Sequence, residues 1–228
     1  MTDVPEHRKP WAIYANVLPD FWNREKVPSV SQIIAFKYGG PPEIPSIQIA
    51  MDRGSKIHRA LEFFDEGDLH LPSIKGSEIE LYLNEWQQWI HPDDGFLMIE
   101  RPLYGVLCDI PFLVRPDRVL RRDDRIYVVD IKTKSKQGRP PNDKERLQHG
   151  LAAAAQTVAV QQRSPYLAVN WQGCVYVWPD RPCQMVGYND PKLIDEFAKI
   201  LVEWRGAQEV KHEEEGRPSR EEDLAPHA

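Results

Sequence analysis

The stretch RPDRVLRRDDRIYVVDIKTK, residues 115–134, constrains the fold most, because it sets Asp130 and Lys132 inside a run that otherwise reads as a buried strand. Side chains alternate between the two faces of a sheet. Val129 and Ile131 therefore share one apolar face, and Val128, Asp130 and Lys132 share the other. The preceding run, Pro116 to Arg121, also has strand character, and Arg122-Asp123-Asp124-Arg125 is polar and turn-like. An antiparallel hairpin follows. A turn centred on Asp123-Asp124 registers Asp117 opposite Asp130. Two carboxylates so placed repel unless a cation lies between them or one is protonated. A divalent metal ion beside Lys132 would meet that demand. Taken by itself, an Asp-x-Lys triplet is equally an ordinary ion pair on a half-exposed strand; the opposed Asp117 is what points to a site.

The spacing Pro116-Asp117, twelve residues, then Asp130-Ile131-Lys132 resembles the signature of the PD-(D/E)xK nuclease superfamily. Further segments are similar to its RecB-like branch, which includes the CRISPR-associated exonucleases and small phage- or prophage-encoded nucleases. Pro28-Ser29-Val30-Ser31 resembles that branch's opening, with Ser in place of Thr. Arg53-Gly54-Ser55-Lys56-Ile57-His58 resembles its R-G-x-x-x-H helix, and Gln156 stands where its Q-x-x-x-Y glutamine is expected. Two positions depart from the pattern. Val160 stands in place of the Tyr, and Val114 in place of a Gly three residues before the first Asp.

The resemblance implies an α/β fold, a restriction-endonuclease-like core with a mixed central sheet flanked by helices. It implies metal-dependent hydrolysis of DNA, with Asp117, Asp130, Lys132, His58 and Gln156 as catalytic residues. His58, Asp117, Asp130 and the main-chain carbonyl of Ile131 would hold Mg²⁺ or Mn²⁺, imidazole being a good ligand for Mn²⁺. Gln148 is an alternative to Gln156 on the same helix, and Glu100, closing the strand-like run FLMIE, is a further acid near the hairpin. The expected partners are DNA and a recombination partner protein. A catalytically silent, nuclease-fold binding module remains the alternative to an enzyme.

The rest of the sequence is compatible with this reading. A chain of 228 residues, 41% hydrophobic, can bury one sizeable core. The expected layout is a lead over 1–27, a nuclease domain over 28–206 and an acidic, disordered tail over 207–228. With neither a signal-peptide pattern nor a run of about 20 apolar residues, a cytoplasmic protein is expected. Cys108, Cys174 and Cys183 form no C-x-x-C pair, so they read as reduced, packed thiols, with no iron-sulfur cluster. The net charge of −6 is unusual for a nucleic-acid binder. Its distribution eases the difficulty. From Arg101 to Arg146 twelve Lys and Arg face seven Asp and Glu, whereas Glu209–Ala228 holds seven acids and three bases.

Patterning predicts the remaining elements. A short helix in 28–40 starts at Ser29 or Ser31 and stops at Gly39-Gly40. A second carries Ile57, Leu61 and Phe64 and stops at Gly67. A third begins at Ser77, with Glu80 at the capping-box position. Strands are predicted at 96–99, 103–107 and 112–114, followed after the hairpin by an Ala-rich helix over 143–162. Two further strands then precede a helix with Asp190 as N-cap and Pro191 first.

Overall fold

The computed structural model of the protein describes residues 27–215. Five α-helices are present among them: α1 (Val30–Tyr38), α2 (Pro45–Glu66), α3 (Glu78–Trp89), α4 (Asp143–Arg163) and α5 (Lys192–Glu215), with one 3-10 turn at Leu71–Ser73. The strands are β1 (Gly95–Ile99), β2 (Leu103–Leu107), β3 (Ile110–Val114), β4 (Arg118–Arg122), β5 (Arg125–Thr133), β6 (Val169–Val177) and β7 (Gln184–Gly187). The fold is α/β. Its main sheet is mixed, in the order β1-β4-β5-β6-β7, while β2 and β3 pair separately.

The hairpin forms in the expected register. Arg118 faces Val129, Val119 faces Val128, and Arg122 faces Arg125. Asp123 and Asp124 both have positive φ, 48° and 60°, as a two-residue turn with the twist of its flanking strands requires. The ladder starts at Arg118 and not at Pro116, which has no N–H to donate. β5 then runs parallel to β6 through the α4 crossover.

Both faces of the sheet are covered. Val129 and Ile131 pack with Leu120 against Ile57 and Leu61 of α2 and Tyr82, Leu83 and Trp86 of α3. Val119, Ile126 and Val128 pack against α1, α4 and α5 through residues such as Ile33, Leu151, Ala155 and Phe197. The face that carries Asp130 is thus as closed as the other, as a central sheet flanked by helices requires. Ala153, Ala154 and Ala155 are fully or nearly fully buried, so α4 can lie close over the strand.

Helix ends follow their capping residues. Ser29 and Gln32 form a capping box on α1, Asn142 and Glu145 do so on α4, and Gly67 ends α2 in the left-handed conformation. At α3 the expected box does not close. Ser77 Oγ donates to the Ile74 carbonyl, and Glu80 accepts from the Gly76 N–H. At α5, Asp190 Oδ1 accepts from the Lys192 N–H. That helix continues to Glu215, past the expected boundary at 206; residues 1–26 and 216–228, holding most of the lead and the far tail, lie outside the described residues. None of the described helices is long and apolar enough to cross a membrane.

Candidate active site

Three elements converge at the start of β4. Asp117 immediately precedes that strand, and its Oδ2 accepts the main-chain N–H of Ile131 across the hairpin at 2.5 Å. β1 lies on the other side of β4, with Ile99 paired to Arg118 and the Glu100 N–H donating to the Asp117 carbonyl. Glu100 adopts φ 48°, left-handed and uncommon for a residue other than glycine. α2 supplies His58, whose Nδ1 lies 3.7 Å from Asp117 Oδ1. The helix can come this close because residue 54 is a glycine: a Cβ there would sit 3.2 Å from Thr133 Oγ1.

His58, Glu100 and Asp117 each bring a ligand atom within 4.8 Å of the others. They face a cleft of about 440 Å³, also lined by Met51, Arg59 and Arg115. The electrostatics are those of a site short of positive charge. Burial and the neighbouring Asp117 carboxylate raise Glu100 to about 7 despite Arg115 and Arg118. Burial acts the same way on Asp117, but His58, Lys132 and the Ile131 N–H outweigh it and hold that carboxyl at about 2. Burial alone would lower His58; Asp117 raises it. Two carboxylates and an imidazole, tight and mostly buried, suit a hard divalent cation.

Asp130 and Lys132 form the second half of the site. Lys132 Nζ lies 2.6 Å from Asp130 Oδ2. Gln156 Nε2 on α4 donates to Asp130 Oδ1 at 3.4 Å, and the buried Cys174 thiol donates to Oδ2 at 3.4 Å. Burial disfavours charge on Lys132, but Asp130 and Asp117 more than compensate and raise its pKa. The ammonium therefore stays charged at neutral pH.

The five residues proposed as catalytic from sequence thus gather in one region, Asp117 bridging its halves. Asp130 is not among the three mutually close ligand residues, and Ile131 meets Asp117 through its N–H. Glu100 is. Gln156, not Gln148, reaches Asp130, and its Oε1 is buried without a hydrogen-bond partner. Val160 and Val114, the two departures from the resembled pattern, are both core residues. Cys108 is exposed at the β2–β3 turn and not packed, Cys183 is half-buried and Cys174 lies at the site; all three are free thiols. What the sequence concealed was the pairing of β1 with β4, the contact that carries Glu100 to Asp117.

A buried network braces this region from behind. Arg118, wholly inaccessible, donates through Nε to Asp65 at 2.6 Å and through Nη1 to the Asp117 carbonyl at 2.6 Å. Trp86 Nε1 donates to the same Asp65 carboxylate at 2.9 Å.

Comparison with known proteins gives three findings. The family model described as the PD-(D/E)XK nuclease superfamily matches residues 70–222. No curated protein matches the sequence. Among solved structures, one titled "Crystal structure of SSO0001" is similar at 13% identity and a TM-score of 0.38, over 86% of this chain and 83% of that one.

Proposed function

The chain belongs to the PD-(D/E)XK nuclease superfamily, and from that premise we propose that it is a divalent-metal-dependent deoxyribonuclease of the RecB-like branch. In this reading it is an exonuclease that serves phage or bacterial DNA recombination, repair or processing. The observation that carries the proposal is the juxtaposition of the His58–Glu100–Asp117 group with the Lys132–Asp130 pair across one hairpin.

Phosphodiester hydrolysis needs an attacking water, neutralisation of the scissile phosphate and a stabilised leaving oxygen. Bound at His58, Glu100 and Asp117, Mg²⁺ or Mn²⁺ would acidify water and offset phosphate charge. The donor set fits such an ion, since two carboxylates and an imidazole each bring a ligand atom within 4.8 Å of the others. Lys132, held charged by Asp130, cannot accept the water's proton. It orients the water and stabilises the charge that builds on the pentavalent phosphorus. Gln156 keeps the Asp130 carboxylate turned to Lys132.

The test is incubation with linear and circular, single- and double-stranded DNA under Mg²⁺, Mn²⁺ or chelator. Release of nucleotides from linear DNA only, abolished by chelator, is the expected result. Nicking of covalently closed circles would replace the exonuclease reading with an endonuclease, and absence of cleavage under every condition would leave the silent binding module.

A further inference from the structure

The cleft contains an arginine that the hydrolytic scheme does not use. Arg115 precedes Pro116, whose ring disfavours helical backbone for the residue before it and keeps position 115 extended. Side chains 115 and 117 therefore leave the chain on one side, and both line the cleft. Arg115 Nε lies 2.7 Å from Glu100 Oε2; the Glu100 side chain is 7% exposed and the Arg115 side chain 63%. The pair joins a fixed, buried carboxylate to a guanidinium on a long, solvated stem. The other arginines nearby are differently held. Arg118 is buried and bound to Asp65, and Arg59 is bound to Glu62 on its own helix with its guanidinium over the Phe63 ring.

Building on the nuclease reading, we propose that Arg115 is a phosphate clamp held in reserve by Glu100: when Glu100 turns to a divalent cation, the guanidinium exchanges it for a phosphate of the bound DNA strand. The exchange follows from charge. A cation among His58, Glu100 and Asp117 competes for the oxygens that Arg115 holds and repels the guanidinium. The released group stands at the cleft mouth, where a DNA strand brings phosphates, and its planar fork matches two phosphate oxygens. Metal and substrate binding are then positively coupled through one side chain.

The test uses full-length Arg115→Ala and Arg115→Lys. Mn²⁺ binding is measured alone by calorimetry. Binding of a fluorescein-labelled oligodeoxynucleotide is measured by anisotropy in a cleavage-deficient Lys132→Ala background, with and without Mn²⁺. Arg115→Ala should bind Mn²⁺ at least as tightly as the parent protein. Its oligonucleotide Kd should weaken about tenfold with Mn²⁺ present and little without it, with a salt dependence shallower by about one charge. Arg115→Lys should fall between.

Weaker Mn²⁺ binding in Arg115→Ala would show that the arginine only braces Glu100, and equal losses of DNA affinity with and without Mn²⁺ would remove the exchange. Either result overturns the proposal. A parent protein that binds Mn²⁺ but no oligonucleotide sinks the nuclease reading and the clamp together. A parent that binds DNA, with an Ala variant that binds it equally well, sinks the clamp alone.

Discussion

Replacing Asp65 by Ala removes the acceptor of two buried donors, Arg118 Nε at 2.6 Å and Trp86 Nε1 at 2.9 Å, in a place where neither partner of the ion pair is exposed. Breaking one side of such a pair costs about 3–5 kcal/mol, because the remaining charge stays in a poor solvent. Arg118 Nη2 already lacks a partner, and its next carboxylate, Glu100, is 3.9 Å from Nη1, so little compensation is at hand. At about 2–4 °C per kcal/mol for a chain of this size, the melting temperature should drop by about 6–20 °C. Burial raises the Asp65 carboxyl even against Arg118 and Trp86, which indicates that desolvation outweighs attraction in this pair. The double change Asp65→Leu with Arg118→Met should accordingly recover most of the loss. It should still weaken metal binding, since Arg118 also holds the Asp117 carbonyl. Urea unfolding followed by tryptophan fluorescence, with calorimetry of Mn²⁺ binding, measures both. A loss below about 1 kcal/mol in Asp65→Ala, the range of an exposed pair, would refute the reasoning.

Lys132→Ala and Asp130→Asn should each lower cleavage by at least about a hundredfold while the far-ultraviolet circular dichroism is unchanged, as expected for loss of one charged group at the transition state; near-wild-type turnover in either would remove the mechanism. His58→Ala should weaken Mn²⁺ binding and activity, and excess Mn²⁺ should restore part of the activity by mass action; an unchanged Mn²⁺ titration would remove His58 from the ligand set. Without metal, Glu100 and His149 should tilt stability with pH in opposite directions. Glu100, raised to about 7 by burial and Asp117, favours the fold fully below its unfolded value near 4.5 and loses this as pH rises through 7. His149, lowered to about 4 by burial and Lys132, favours the fold above 6.5 and loses this as pH falls through 4, each effect being on the order of 3 kcal/mol. In chelator, Glu100→Gln should leave stability rising between pH 4.5 and 6.5 and His149→Gln should leave it falling; equal slopes in the two variants would contradict the assignment.

Much of the fold could be read from the sequence because its signals are local. The register of β4 and β5 follows from two turn aspartates that tolerate positive φ, and every observed pair agrees with a turn centred between them. Ser29, Gly67 and Asp190 act at helix ends through hydrogen bonds or backbone conformations of their own neighbourhood. At α3 the same logic failed. Ser77 had a nearer acceptor in the Ile74 carbonyl, and Glu80 a nearer donor in the Gly76 N–H. The separate β2–β3 ribbon, which packs against α4, is settled by tertiary contacts that no local pattern reports.

The site divides along the same line. Asp117, Asp130 and Lys132 lie within one hairpin, so strand alternation and a single turn suffice to bring them together. Glu100 belongs to the site only because β1 joins β4, extending the ladder from Ile99–Arg118 to the Glu100–Asp117 backbone bond. Nothing in FLMIE distinguishes a carboxylate that will be solvated from one that will sit beside another carboxylate. Asp130 is held by Lys132, Gln156 and Cys174 and stands as the lysine's counter-charge, while Glu100 lies in one close group with His58 and Asp117. Lys132 keeps its counter-ion in this arrangement, whereas Glu100, on turning to a cation, would free Arg115.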